Sequence, residues 1–173
     1  MAPLFTSEQD VYDVLGTMFK HMVADPELAD RLRGADTVVQ YQLRAPESTI
    51  TAKLTAEEPP EVQFGPTTWR TEVVLAMEAD VAHRYFLGEV NPTTALAHGD
   101  IRASGPIAKI LKLIPAVRPL GDRYRGVLTE VGRPELAGGE PVEAPADDAP
   151  IDPDAPAGDE APAAEEVAPT EEA

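Results

Sequence analysis

The sequence predicts an α+β domain, a five-stranded sheet covered on one face by helices, with a disordered acidic tail after it. Three observations lead there. Apolar residues recur at three- and four-residue steps near the start of the chain. From residue 37 to 78 they alternate with a period of two, and beyond that helical spacing returns with one short strand inside it. Strands segregated in this way from helices indicate α+β rather than a strand-helix repeat.

The first helix is read from Val11, Val14, Leu15, Met18, Phe19 and Met22, with Glu8, Asp10, Asp13, Thr17 and Lys20 between them. Ser7 is placed to cap it, and Asp10 three residues on makes a capping box with the shorter acid. A short second helix starts at Pro26, where a missing N–H does no harm, and ends at Gly34. The segments "TVVQYQL", "STITAKLT", "EVQF" and "TEVVLAME" then read as four antiparallel strands. In the second, Ile50, Ala52 and Leu54 share one face. In the fourth, Val73, Leu75 and Met77 are assigned inward.

"EADVAHRYFLGEV" reads as a helix presenting Val81, Tyr85 and Phe86 and stopped by Gly88. Asn91 caps the next helix, Pro92 takes its first turn, Ala95 and Leu96 supply its apolar side, and Gly99 closes it. "DIRAS" is the fifth strand, which must insert into or extend the sheet. "GPIAKILKLI" starts a helix with a stripe of Ile107, Ile110, Leu111 and Ile114, leaving Lys109, Lys112 and Leu113 off it. Pro115 and Pro119 are expected to break that helix. A last one is expected from Asp122 to Val131, with Tyr124, Val127, Leu128 and Val131 inward, and Gly132 and Pro134 mark the end of the domain.

Charge divides the 173 residues into a domain at 1–133 and a tail at 134–173. All 14 Lys and Arg lie at or before Arg133, and 13 of the 31 acids lie after it, so the body carries −4 and the tail −13. With no basic excess, nonspecific nucleic-acid binding is not expected. The tail holds 8 prolines and 11 alanines and no aromatic residue. Such a composition cannot bury enough apolar surface to offset the entropy of ordering. There is no cysteine, which removes disulfides, thiolate metal sites and cysteine nucleophiles. No apolar run approaches ~18 residues, and the N-terminus lacks a basic segment followed by an apolar one. The sequence therefore reads as a cytoplasmic protein.

Residues 77–115, "MEADVAHRYFLGEVNPTTALAHGDIRASGPIAKILKLIP", resemble the sterol-binding domain of the sterol carrier protein type 2 (SCP-2) family, in particular its small bacterial members. The resemblance lies in Leu87, Gly88, Asn91, Pro92, Gly99, Ile101, Gly105 and the run from Ile107 to Ile114, in that order. By order of elements it extends over about residues 5–131. It implies an SCP-2-like fold and a non-catalytic protein that binds and transfers an apolar ligand in a tunnel between sheet and helices. The ligand would be a lipid, a fatty acyl chain or acyl-CoA, or a sterol-like molecule. An aromatic residue often found before the second glycine in eukaryotic members is absent, the segment reading "ALAHG", so sterol itself is not assumed.

The expected tunnel lining is Phe64 and Trp69 from the sheet end, Val73, Leu75 and Met77 from the fourth strand, Phe86 and Leu96 from the middle helices, and Ile107, Ile110, Leu111 and Ile114 from the apolar helix acting as a lid. On periodicity alone these residues would be ordinary core. Beside them, six bases between Arg102 and Arg125 face one acid, Asp122. Lys109, Lys112 and Arg118 form the expected basic rim, suited to an anionic membrane surface or to acyl-CoA phosphates, where each base is worth ~1 kcal/mol. A diffuse contact between this patch and the acidic tail is a further expectation.

Enzymatic motifs are lacking. His21, His83 and His98 are far apart in sequence, have no metal-ligand spacing and are expected at the surface or at helix ends. There is no GxSxG, GxGxxG or Walker spacing, and no cofactor is expected. The competing function is a protein-interaction module, an inert scaffold whose lid face or acidic tail recruits a partner enzyme. A filled core beneath residues 106–114 would favour it.

Overall fold

A computed structural model of the chain describes residues 3–117 and 119–138. Most of the tail, from residue 139, therefore lies outside the described residues.

The first helix is continuous over residues 8–24 in three stretches, α1 (Glu8–Val11), a π turn (Tyr12–Gly16) and α2 (Thr17–Ala24). Ser7 caps it by accepting the Asp10 amide at 3.1 Å, and the Asp10 carboxylate accepts the Thr6 amide at 3.0 Å, one residue before its place in a full capping box. Helix α3 (Pro26–Arg33) is capped by Asp25, whose Oδ1 accepts the amides of Glu27 and Leu28.

The strands are β1 (Thr37–Arg44), β2 (Ser48–Leu54), β3 (Glu61–Phe64), β4 (Val73–Glu78) and β5 (Ile101–Ser104), in the order β3-β2-β1-β4-β5. All but one of the adjacent pairs are antiparallel; β1 and β4 run parallel, with Val39 opposite Val73. This corrects the expectation of four antiparallel strands. Alternation reports which face a side chain takes and is the same in either direction, so it carries no strand sense. The direction is set by the return through residues 65–72, where the Glu72 amide donates to the Val38 carbonyl at 2.9 Å beside the start of β1. The fifth strand extends the sheet at the β4 edge.

Val73, Leu75 and Met77 point inward as assigned, together with Val39, Tyr41, Leu43, Ile50, Ala52 and Leu54. The helices supply the opposite side of this core. Phe19 of α2 meets Tyr41 of β1 and Phe86 of α4 (Ala79–Leu87) edge-on, and Tyr41 and Phe86 are tilted to each other, with ring centroids 5.1–5.6 Å apart. Gly88 closes α4 at φ +80°, which glycine adopts without strain. Asn91 caps α5 (Pro92–His98) through the amides of Thr93 and Thr94.

Helix α6 (Ile107–Val117) retains Pro115 inside it, so the break expected there does not occur. Proline removes the N–H that would bond the Leu111 carbonyl, but at this exposed position close to the helix end one lost bond is tolerated. Helix α7 (Leu120–Glu130) buries Tyr124, Val127 and Leu128. The fold continues beyond Arg133, where the sequence suggests its end. A 3-10 turn (Pro134–Ala137) buries Leu136, and Arg133 bonds Asp10 at 2.8 Å and the Leu4 carbonyl at 3.1 Å.

Candidate functional site

An apolar space lies between the sheet and α6. Leu75 and Met77 of β4 and Ile101 of β5 form one wall, Tyr85, Pro92 and Leu96 a second, and Ile110, Leu113 and Ile114 of α6 cover it. Every exposed atom of its lining is apolar. Its volume is about 20 Å³, room for roughly one water molecule. The side chains nearly fill it.

Five of the expected lining residues meet there: Leu75, Met77, Leu96, Ile110 and Ile114. The others lie elsewhere. Phe64 packs at the far edge of the sheet against Tyr12, ring centroids 5.4 Å apart, with the Lys20 ammonium over its face. Trp69 is half-buried near the Lys53 ammonium. Val73 is fully buried, and Phe86 belongs to the aromatic triangle with Phe19 and Tyr41. The Ile107 side chain lies outside the described ones.

The stripe on α6 also differs from the expected one. Leu113 is 1% exposed and lines the space, whereas Leu111 is 38% exposed. With about 100° per residue, positions 110, 113 and 114 fall within one sector of about 100°, and 111 lies about 110° from its centre. The sequence is apolar at 110, 111, 113 and 114, so two stripes compete, and packing against β4 and β5 selects the one through Leu113. The sequence reading did not place Ile101 or Tyr85 in the lining; Tyr85 was read as presented by its helix, and the pairing of β5 with β4 sets Ile101 opposite Met77.

Among the six bases near the lid, three are engaged by acids. The Lys109 ammonium donates to Glu72 Oε2 at 2.8 Å and to the Asp36 carbonyl at 2.7 Å. Arg123 pairs with Asp25, and Arg125 with Asp122 at 3.4 Å. Lys109 and a second bond from the Thr37 hydroxyl hold the Glu72 carboxyl below its ordinary pKa. Lys112 and Arg102 are exposed with no acid partner among the described residues, and Arg118 lies outside them. Of the expected rim, Lys109 is thus paired and Lys112 exposed.

A larger concavity of about 580 Å³ opens between α2, α3 and α7. Its floor is Met18, Met22, Leu28, Leu120 and Val127. The pairs His21–Glu130, at 3.4 Å, and Arg123–Asp25 stand at its mouth, and Gly126 leaves one wall open.

His83 is buried, not at the surface as expected. Its Nε2 lies 2.9 Å from the Leu136 carbonyl, an acceptor, so Nε2 carries the proton and Nδ1 accepts from the Tyr124 hydroxyl at 2.7 Å. Burial pushes its pKa below the ordinary imidazole value. Both nitrogens are thus spent on joining α4, α7 and the 3-10 turn. Among the described residues no group of three His, Cys, Asp or Glu is arranged to hold a metal ion, and no helix is long and apolar enough to cross a membrane.

These features define an α+β domain with one sheet and an apolar space under an amphipathic helix. The chain belongs to the SCP-2 sterol transfer family, whose family model matches residues 15–118. Among solved structures, the sterol carrier protein domain 2 of Helicoverpa armigera is similar at a TM-score of 0.53 and 19% identity, over 64% of this chain and 90% of its own. Apo sterol carrier protein 2 from Yarrowia lipolytica is similar at 0.51 and 12%, over 66% and 92%. Sterol carrier protein 2 from Aedes aegypti in complex with palmitate gives 0.44 and 18%, over 60% and 96%. No curated protein matches the chain.

Proposed function

We propose that the protein binds and transfers one apolar ligand without chemistry, holding it between β4, β5 and α6. The ligand class is a lipid, a fatty acyl chain or acyl-CoA, or a sterol-like molecule. The observation that carries this reading is the wholly apolar lining of that space, closed by an amphipathic helix. Membership of the SCP-2 sterol transfer family supports it. A space of about 20 Å³ cannot take an acyl chain as it stands, so binding requires α6 to move outward. Exposed Leu111, beside Lys112 on the outer face of α6, supports contact with an anionic membrane surface during exchange.

The second reading is an accessory module that recruits a partner enzyme. The near-filled space beneath α6 favours it, and the groove between α2, α3 and α7 offers a partner the larger concavity. Native mass spectrometry of the protein purified from its own host, followed by denaturing extraction, separates the two. A stoichiometric apolar passenger supports the carrier. A protein that is empty and also refuses fluorescent fatty acids, acyl-CoAs and sterols overturns it in favour of the module.

A further inference from the structure

We propose that Lys109 is a latch that holds α6 closed over the apolar space, with Gly105 as its hinge and Glu72 as the catch for both. This rests on the reading that the ligand enters beneath α6. Two residues, Gly105 and Pro106, separate the end of β5 at Ser104 from the start of α6 at Ile107. Gly105 has φ +125°, and a Cβ there would lie 2.3 Å from the Glu72 carbonyl oxygen. The hinge therefore runs directly against the Glu72 backbone. One helical turn later, the Glu72 side chain takes the Lys109 ammonium, so pivot and fastening meet at one residue.

The catch is itself fixed. Glu72 is tied to β1 by its amide on the Val38 carbonyl and by the Thr37 hydroxyl on its carboxylate. Asp36, whose carbonyl is the second acceptor for Lys109, sits at φ +48°, a conformation that non-glycine residues seldom adopt. Lys109 thus joins α6 to the beginning of the parallel β1–β4 pair. Its remaining anchors among the described side chains are few. Ile110 and Leu113 are buried and Ile114 half-buried, while Ala108, Leu111, Lys112 and Pro115 face outward. Pro115 also leaves the Leu111 carbonyl without its helical donor. A helix attached by a short apolar stripe and one ion pair opens about its glycine when the ion pair is lost, and the same movement uncovers Leu75, Met77 and Ile101.

The test compares Lys109→Met, which keeps the apolar stem, with Glu72→Gln and the double variant. Without any ligand, hydrogen exchange of the amides at 108–114 should quicken about threefold in each single variant, the size suited to a half-exposed ion pair, and no further in the double. Amides of β1 and β2 should not change. Exchange at 108–114 equal to that of the unaltered protein overturns the latch.

For the gate itself, cis-parinaric acid is the probe, and both single variants should take it up about threefold faster. Because the chain has no cysteine, Glu72→Cys with Lys109→Cys can be bridged by a reducible thiol-reactive linker. Bridging should stop uptake and reduction should restore it; uptake unaffected by the bridge overturns the proposal. If the unaltered protein takes up no parinaric acid, ligand entry under α6 falls, and the exchange comparison still decides the latch.

Discussion

Two glycines and one histidine show how far a single residue is fixed by its surroundings. Gly105 holds a φ that side chains avoid and has no room for a Cβ, so Gly105→Ala should lose at least about 2 kcal/mol of stability. Gly126 lies inside α7 with nothing within 4 Å of its missing Cβ, and Gly126→Ala should gain about 0.5–1 kcal/mol. Urea unfolding of the two variants checks these opposite signs. His83 predicts a pH dependence. Its folded-state pKa is depressed, so the unfolded chain binds the proton more tightly, and stability should fall as pH drops below about 6.5. His83→Phe should abolish that part of the slope and lower stability by about 1–3 kcal/mol, because the Leu136 carbonyl and the Tyr124 hydroxyl lose their partner. Melting curves from pH 8 to pH 5 measure both effects, and an unchanged slope in the variant would remove His83 as its source. The sequence placed this histidine outside because its near neighbours Asp80 and Arg84 are polar; its partners stand 41 and 53 residues further along the chain.

At the scale of elements, the strands and most helix limits were legible because each depends on local signals. Pro26 at the start of α3, capping by Asn91, the glycine stop after α4 and the period-two runs all lie within a few residues of what they determine. What was not legible depends on a partner. The sense of β4 is decided by where the chain returns beside β1, and the inner face of α6 by β4 and β5 beneath it. Of the expected lining, Leu75, Met77, Leu96, Ile110 and Ile114 lie around one apolar space, on strands and helices that lie near one another in the chain. Phe64 lies apart from them because β3 occupies the opposite edge of the sheet from β5, a matter of strand order that composition does not encode. The α6 assignment gives a direct check. Leu113→Ala should cost about 2–5 kcal/mol, whereas Leu111→Ala should stay within about 0.5 kcal/mol, and chemical denaturation of the pair distinguishes the observed stripe from the expected one.

Across the whole molecule, the two ends of the folded chain are fastened to each other. Arg133 bonds both Asp10 and the Leu4 carbonyl, the Leu4 amide donates to Asp80, and Leu136 packs beyond them. A chain ending after Arg133 should therefore lose about 1.5–3 kcal/mol through the exposed Leu136 site and the orphaned His83 donor, while one ending after Gly138 should match the full chain within about 0.5 kcal/mol. Thermal melting of the two truncations tests this and locates the domain end. The parallel pair at the centre of the sheet has a consequence for the order of folding. Strands β1 and β2 are joined by a turn of three residues, whereas β4 must return across 28 residues to reach β1, and that closure carries the greater entropic penalty. Pulse-labelled hydrogen exchange during refolding should accordingly find amides of β1 and β2 protected before those of β4 and β5. The side chains that wall the apolar space sit on these late-arriving strands and on the helices that follow β4. During synthesis, then, the ribosome releases the scaffold first and the compartment last, and a chain stalled before residue 73 has three antiparallel strands with nothing yet to enclose.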